Sequence, residues 1–310
     1  MAKIRRSEVS TETIEHLLAV TEDLCCQYAW RDTGELRLDA LIWLKHVKNL
    51  LDGPCSLRNH RDLLVAAGWL SLLIGCVEYD RGNRYGAEMA RSGAYHLDKE
   101  SGHGEIAAWS FEMGAWFALT QNNFDTVGKF VNGGILAAPH SSVTVQLSAL
   151  QAKAQARMGE PVDGILDHGF AKLAKHDNPS RPENHFVIDP TKWDFYAMDC
   201  YRISGQDDKS ANHAHEVLRL SKRADGTEKS PMRAAEATLT LAILALREGN
   251  LEGAESLTDQ ALDAQRRSVN SLMLVTTEVS REARRIYTHD PATKSLRDKI
   301  DLFHSQLSHP

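Results

Sequence analysis

Five short polar turns recur along the chain at a nearly regular spacing, and this regularity restricts the fold more than any other feature. The turns are Arg81-Gly82-Asn83, Gln121-Asn122-Asn123, Gly159-Glu160, Gly205-Gln206-Asp207 and Gly249-Asn250. Consecutive turns lie about 37 to 46 residues apart, which is the period range of helical-hairpin arrays. Each hairpin of such an array leaves one apolar face and must stack on its neighbour. We therefore expect an all-α repeat superhelix with a concave groove.

The apolar spacing between these turns predicts helices throughout, with no strand-like alternation. Five helix pairs are predicted, at 57–81 with 83–98, 104–121 with 123–137, 142–158 with 162–175, 190–204 with 207–222, and 231–248 with 250–267. Residues 1–56 are predicted to form an N-terminal helical cap with helices at 8–30 and 36–52, and residues 57–310 the repeat array with C-terminal capping helices at 270–287 and 293–307. One set of positions in the last pair resembles a tetratricopeptide repeat: Ala235, Leu239, Ala242, Leu246, Gly249, Asn250, Leu251, Ala254 and Ala261. The array is therefore expected to be tetratricopeptide-like.

The connector between Lys175 and Pro190 interrupts this regularity. It is rich in Pro, Asn and Asp, and it is longer than the ~2 to 8 residues usual between packed helices. Long ordered loops in repeat proteins tend to fold over the concave face, so 175–190 is predicted to be a lid. The alternative is a loop that bulges outward. Asp189 followed by Pro190 predicts an N-cap and first-turn pair for the next helix.

Composition and charge exclude several classes of function. The formal net charge of -6 and the pI of about 6.2 argue against a nucleic-acid partner. Five cysteines without CxxC spacing predict neither a disulfide framework nor a zinc site, which fits a reducing cytoplasm. The N-terminus lacks the apolar region of a signal peptide. The apolar run from Leu63 to Val77 is roughly 15 residues, short for a bilayer span, and predicts a buried helix. Because no HExxH or glycine-rich phosphate loop occurs, no metal or cofactor is expected.

The stretch from Gly102 to Phe124 carries the first candidate site. At 3.6 residues per turn, Glu105, Trp109, Glu112 and Trp116 fall on one stripe of an amphipathic helix, with the two carboxylates about 10 Å apart. This mixture predicts a half-wet concave surface, where Glu105 and Glu112 would be catalytic acids and the indoles would bind a cationic amine. The alternative is that the tryptophans fill the hairpin interface while the glutamates meet Arg or Lys of a neighbouring helix.

The stretch from Pro190 to Arg202 carries the second candidate site. Lys192, Tyr196 and Asp199 stand at i, i+4 and i+7, so an amine, a phenol and a carboxylate share one face. Tyr196 and Asp199 are predicted to be catalytic, and Lys192 and Asp194 to bind substrate, with Asp194 turned toward the loop. The alternative is a helix N-terminus whose acids complement the helix dipole, with Asp189 as its cap.

A third group lies at the start of the helix predicted at 142–158. His140, Ser142 and Gln146 stand near exposed amides that can bind an anion. His185, in the connector, is placed near the concave face together with His140 and His103. Plain capping of the helix by Ser141 is the alternative to a catalytic role for this group. The predicted substrate contacts of this group are therefore His140, Ser142, Gln146 and His185.

Four stretches carry a family resemblance: GHGEIAAWSFEMGAWFALTQ, APHSSVTVQLSALQAKAQARMGE, ENHFVIDPTKWDFYAMDCYR and GTEKSPMRAAEATLTLA. They are similar to the tetratricopeptide-like regions of actinobacterial XRE-family transcriptional regulators, and the likeness runs from about Arg5 to Tyr287. In those regulators a helix-turn-helix domain precedes a repeat region to which ligand or partner sensing is attributed. Because Met1 stands where such a repeat region begins, the resemblance implies ligand recognition without the DNA-binding domain.

Two classes of function follow from these features. The first is an enzyme of a specialised biosynthetic pathway that acts on a small polar metabolite bearing an amine and an anion. Its carboxylates would supply general acid/base chemistry for a cyclisation, intramolecular substitution, elimination or hydrolysis. The second is a non-catalytic regulator or adaptor that binds a ligand or peptide. The enzyme is the favoured hypothesis, a protein partner or homodimer is compatible with both, and the candidate residues are expected to converge on one pocket.

Overall fold

The computed structural model describes residues 9–188, 190–288, 291 and 293–307, and these residues form an all-helical chain. The described helices are α1 (Thr11–Gln27), α2 (Thr33–Leu51), α3 (Leu57–Asp80), α4 (Arg84–Ser101), α5 (Glu105–Thr120), α6 (Phe124–Ala137), α7 (Val143–Met158), α8 (Asp163–Leu173), α9 (Pro190–Ile203), α10 (Asp207–Leu220), α11 (Pro231–Arg247), α12 (Leu251–Leu262), α13 (Val269–Ile286) and α14 (Thr293–Leu307). Each corresponds to a helix predicted from the sequence, so the all-α class is confirmed.

Several helix boundaries differ from the prediction by a few residues, and for two of them the structure shows the reason. Helix α2 begins at Thr33 instead of residue 36, because the Asp32 carboxylate accepts hydrogen bonds from the Gly34 amide at 2.8 Å and the Glu35 amide at 3.0 Å. Helix α12 ends at Leu262 instead of residue 267, because Arg267 Nη1 donates a hydrogen bond to the Leu262 carbonyl at 2.8 Å. In both cases a side chain satisfies backbone groups that the helix leaves unpaired.

The five regularly spaced turns share one backbone geometry. A residue with a left-handed conformation occupies each turn, with φ between 59° and 83°. The next residue donates its amide to the carbonyl five positions earlier, at 2.8 to 2.9 Å in all five cases. This pattern is the Schellman motif that ends helices. The left-handed residues are Gly82, Asn122, Gly159, Gly205 and Gly249. The spacing seen in the sequence is therefore a recurrence of the same helix ending.

The described residues fall into two compact units. Unit 1 comprises Met1–Phe117, Thr126–Leu147 and Pro179–Ile188. Unit 2 comprises Ala118–Asp125, Ser148–Asn178 and Asp189–Pro310. The predicted connector is divided between them, since its residues from 179 to 188 cluster with unit 1.

Helix α3 forms the centre of unit 1, where α2 and α4 pack against it. Among the described residues it alone is long and apolar enough to cross a bilayer, yet 83% of its most apolar window is buried inside the protein. The prediction of a buried helix is confirmed. Helix α5 approaches α3 closely at two glycines: a Cβ on Gly68 would lie 2.8 Å from Ile106 Cδ1, and one on Gly75 would lie 3.0 Å from Met113 Sδ.

Helix α5 is buried on almost every side, so the prediction that it is amphipathic is wrong. From Ile106 to Leu119 only Phe111 and Trp116 are more than marginally accessible. The reason is that α5 packs against α6 as well as α3, since a Cβ on Gly114 would lie 2.5 Å from the Phe130 ring. A helix enclosed on several faces needs apolar residues all round.

Unit 2 has its main apolar core among α11, α12, α13 and α14. The core residues include Leu239 and Leu246 of α11, Val279 of α13 and Ile300 of α14, all fully buried. The tetratricopeptide-like positions Ala235, Ala254 and Ala261 lie in the same core. This arrangement holds α13, and with it Glu278, beside α11.

Candidate functional site

In unit 1 the two carboxylates of α5 each receive a hydrogen bond from the start of α7. Ser141 Oγ donates to Glu105 Oε1 at 2.6 Å, and it also accepts a long bond, 3.4 Å, from the Val143 amide at the first residue of α7. Ser141 therefore contributes to the start of α7, as the capping alternative supposed, and holds Glu105 at the same time. Glu105 remains half-buried.

One helical turn further along α7, Gln146 contacts the second carboxylate. Gln146 Nε2 donates to Glu112 Oε1 at 2.7 Å, and the two residues are only 5% and 7% exposed. Gln146 Oε1 is buried without a hydrogen-bond partner among the described residues, and so is the indole N–H of the fully buried Trp109. The Glu112–Gln146 contact thus leaves one acceptor unpaired among the described residues, and Trp109, three residues before Glu112 on α5, has one unpaired donor. Unpaired buried polar groups are costly and uncommon.

Aromatic rings lie around α5 within unit 1. Trp109 meets Phe186 with the ring centres 5.5 Å apart, and Phe186 lies 5.4 Å from Trp69 of α3. Trp116 contacts Tyr79 of α3 at 4.7 Å. Trp109 fills the interior, as expected if the tryptophans pack between helices. Among the described residues, Glu105 contacts a hydroxyl and not a cation.

The segment 179–188, part of the predicted lid, is anchored to unit 1 along its length. Arg181 forms an ion pair with Asp23 of α1 at 2.6 Å. The ring of His185 lies against that of Tyr28, with ring centres 3.9 Å apart and an angle of 40° between the planes, and its Nε2 lies 3.5 Å from Cys76 Sγ. Phe186, 4% exposed, lies against both Trp69 and Trp109. The segment therefore covers an aromatic surface formed by α3 and α5, and whether it moves as a lid stays a prediction.

The other residues predicted near α7 are peripheral. His140 is exposed in the turn before α7, and Ser142 is half-buried. Ser141, for which the sequence favoured a capping role, makes the contact to Glu105. The sequence signal that could have identified the Ser141–Glu105 contact was a serine directly before a helix, within reach of an acid on the preceding hairpin.

In unit 2 the candidate acid Asp199 lies in a buried network of charges. Arg157 makes a two-pronged contact to its carboxylate, with Nη1 at 2.8 Å and Nη2 at 3.1 Å. Lys153 Nζ lies 3.3 Å from Asp199 Oδ2, and Arg202 Nη2 donates to Oδ1. Burial alone would raise the pKa of Asp199, but Arg157, Lys153 and Arg202 outweigh it and hold the pKa well below its usual range. Asp199 therefore stays ionised, which suits a counter-ion better than a general acid.

A second carboxylate completes this network from α13. Glu278 accepts a hydrogen bond from Arg157 Nη2 at 2.9 Å and another from Arg202 Nη2. Arg202 Nη1 also donates to Thr240 Oγ1 of α11 at 2.6 Å. The guanidinium groups thus join α7, α9, α11 and α13. We call Lys153, Arg157, Asp199, Arg202 and Glu278 the charge network.

The other predicted residues of α9 also lie in unit 2. Lys192 and Tyr196 are each 8% exposed, and the Lys153 ammonium stands 5.8 Å from the centre of the Tyr196 ring. Asp194 Oδ1 lies 2.7 Å from Nδ1 of His213 on α10, so it faces that helix and not the connector. Asp189, the predicted cap, lies outside the described residues, although α9 begins at Pro190 as expected.

Glu236 of α11 stands near the charge network and was missed by the sequence reasoning. It is 8% exposed, and burial raises its pKa to about 7, although Lys153 partly opposes the shift. Lys153, Arg157, Arg202 and Glu278 were also missed. The available signal was a charged residue inside an otherwise apolar helical run, as Glu236 is in AAEATLTLA.

The fold and these residues define an all-helical protein with two buried polar clusters, one in each unit. Glu105, Trp109, Glu112 and Gln146 belong to unit 1, whereas Lys192, Tyr196 and Asp199 belong to unit 2. Their convergence on one pocket stays a prediction. No family model, curated protein or solved structure matches the chain.

Proposed function

We propose that the chain is a tetratricopeptide-like binding protein that recognises a small polar metabolite through its amine, beside Glu112 and Gln146. One observation carries this proposal. Next to a buried carboxylate, the Gln146 carbonyl oxygen and the Trp109 indole N–H are both buried without a partner among the described residues. A buried carboxylate on α5, with unpaired polar groups of complementary kinds on α5 and on the helix that contacts it, is what a ligand site offers.

The chemistry of these groups indicates the class of ligand. An ammonium group would donate to the Gln146 oxygen and to the Glu112 carboxylate, and hydrogen bonds to charged groups contribute about 1.5 to 3 kcal/mol each. The indole of Trp109 would add a cation–π attraction. The indole N–H requires an oxygen acceptor, so the ligand should carry a carboxylate or carbonyl close to its amine.

The wider architecture supports a binding role. The five equivalent helix endings and the packing of α3 with α4, α9 with α10 and α11 with α12 are what stacked helical hairpins require. In our proposal these hairpins form a superhelix whose concave groove binds the metabolite in the cytoplasm. The segment 179–188 would cover the aromatic wall of the site. Such a protein acts as a ligand-responsive regulator or adaptor.

Native mass spectrometry tests this function directly. The protein would be incubated with a pooled set of amino acids, amino alcohols and polyamines, and retained masses recorded. Glu112→Gln should reduce retention of the preferred amine at least tenfold, since it removes the negative charge opposite the ammonium. Glu15→Gln, at an exposed position of α1, is the matched control and should retain it normally. Equal retention by Glu112→Gln, or no amine retained by the unmodified protein, would refute the proposal.

An acid/base enzyme is the second candidate, and the Ser141–Glu105 contact favours it. A half-buried carboxylate 2.6 Å from a hydroxyl can pass a proton to or from a bound substrate. In that case the retained amine would be converted during incubation, by cyclisation, substitution, elimination or hydrolysis, and Glu105→Gln would abolish the change in mass while binding continued. Recovery of the amine unchanged supports the binding protein instead.

A further inference from the structure

Lys153 of unit 2 has hydrogen-bonding capacity that the charge network does not use. Its ammonium has three donors but makes one polar contact among the described residues, 3.3 Å to Asp199 Oδ2. It also stands over the rings of Phe195 and Tyr196, with centroid distances of 5.1 Å and 5.8 Å. Lys153 is 7% exposed, so a nearly buried cation lies against two aromatic rings with donors to spare.

Glu236, a carboxyl group near Lys153, also has hydrogen-bonding capacity that is not used. It makes no hydrogen bond within the described part of the chain, although it is only 8% exposed. Lys153 and Arg157 of α7, and Asp199 and Arg202 of α9, act on it electrostatically. A buried carboxyl group without a hydrogen bond is uncommon, because desolvation is then uncompensated.

The charges around Glu236 do not cancel when it is protonated. Arg157 and Arg202 are engaged by Asp199 and Glu278, which leaves the Lys153 charge in excess. The Nε atoms of both arginines are also buried without an acceptor. While Glu236 is protonated, the three cations and two carboxylates of the charge network would be neutralised by one further negative charge.

We propose that Lys153 and Glu236 form a binding site for the carboxylate of a small molecule with an apolar body. The ammonium of Lys153 would pair with one carboxylate oxygen, and the protonated Glu236 would donate a hydrogen bond to the other. The rings of Phe195 and Tyr196, beside Lys153, would contact the apolar body. This site lies wholly in unit 2 and does not depend on the amine site of unit 1.

Proton uptake on binding is a specific consequence. Because the pKa of Glu236 is about 7, most of the carboxyl groups are ionised at pH 7.5. A bound carboxylate repels that second negative charge and favours the protonated form. Each bound anion should therefore take up on the order of half a proton or more from solution at this pH.

Isothermal titration calorimetry with benzoate and acetate tests the site. Titrations at pH 7.5 in two buffers of different ionisation enthalpy give both the affinity and the proton uptake. Benzoate should bind at least tenfold more tightly than acetate because of the two rings, with proton uptake. Absence of benzoate binding at millimolar concentration, or equal affinity for the two anions, overturns the proposal.

Two variants separate the roles of the two residues. Lys153→Met should weaken benzoate binding at least tenfold, whereas Lys175→Met, at an exposed position of unit 2, should leave it unchanged. Glu236→Gln keeps a hydrogen-bond donor, so it should retain binding but lose the proton uptake. Proton uptake that persists in Glu236→Gln refutes the role of Glu236. If circular dichroism shows that Lys153→Met does not fold, the proton uptake of Glu236→Gln decides the question. None of these results depends on amine retention by unit 1.

Discussion

The two buried acids Glu112 and Asp199 occupy opposite environments. Glu112 receives an uncharged donor, the Gln146 amide, and the groups beside it are left with unpaired polar atoms. Asp199 is contacted by three cations that use both of its oxygens. One region of the molecule therefore leaves polar capacity open, and the other satisfies a carboxylate almost completely. Two acids that looked alike in the sequence differ because their neighbours differ.

The difference between these two environments distinguishes a region suited to ligand binding from one that stabilises the fold. A carboxylate saturated by guanidinium groups joins α7, α9 and α13, and it has little capacity left for a ligand. The Gln146 oxygen and the Trp109 indole N–H, which have no partner among the described residues, retain that capacity at some cost in stability. We therefore expect changes at Asp199 to affect folding strongly and changes at the α5 acids to affect folding weakly.

The largest effect is expected from Asp199→Asn. The substitution leaves Lys153, Arg157 and Arg202 buried with too few negative charges, and removing one partner of a buried ion pair costs about 3 to 5 kcal/mol. The free energy of unfolding, measured by urea titration at pH 7, should fall by that amount. Asp163→Asn is the control, because Asp163 pairs with Lys209 at the surface, where both side chains are more than half exposed. Its effect should stay below about 1 kcal/mol, and equal losses in the two variants would contradict the contrast.

The helices could be predicted from the sequence because the deciding signals are local. The turn containing Gly205 and the apolar spacing that precedes it lie within a few residues of each other. The partners of Asp199 could not be predicted in this way. Glu278 lies far along the chain and meets Arg157 only because α13 packs beside α11. The same limit explains why α5 looked amphipathic, since its enclosure depends on residues such as Gly68 and Phe130 in other helices.

A smaller effect, which depends on pH, is expected from Glu236→Gln. Glu236 ionises near its ordinary pKa of 4.5 when the chain is unfolded and near 7 when it is folded. Its contribution to stability is therefore complete below pH 4.5 and is lost as the pH rises to about 7. At roughly 1.4 kcal/mol for each unit of pKa shift, unmodified protein should lose on the order of 1 to 3 kcal/mol relative to Glu236→Gln across this window.

Urea titrations at pH 5 and pH 7.5 measure this change. Asp199 does not obscure it, because its lowered pKa places its own loss of stability below pH 3.8. Glu248→Gln, at an exposed position near the end of α11, should show the same pH dependence as the unmodified protein. If Glu236→Gln also follows the unmodified protein at both pH values, Glu236 does not hold a proton near neutrality.

The smallest effect is expected from Glu105→Gln, the counterpart in unit 1 of the Asp199 substitution. The glutamine oxygen can still accept the hydrogen bond from Ser141 Oγ, and the half-buried site leaves no cation without a partner. The change removes a negative charge at the first residue of α5, where it interacts favourably with the helix dipole by about 0.3 to 1 kcal/mol. The free energy of unfolding should therefore fall by less than about 1 kcal/mol. Ser141→Ala should cost a similar amount, because it removes the same hydrogen bond from the other side. A loss of several kcal/mol in Glu105→Gln would mean that this carboxylate, like Asp199, neutralises buried positive charge, and the contrast between the two units would not hold.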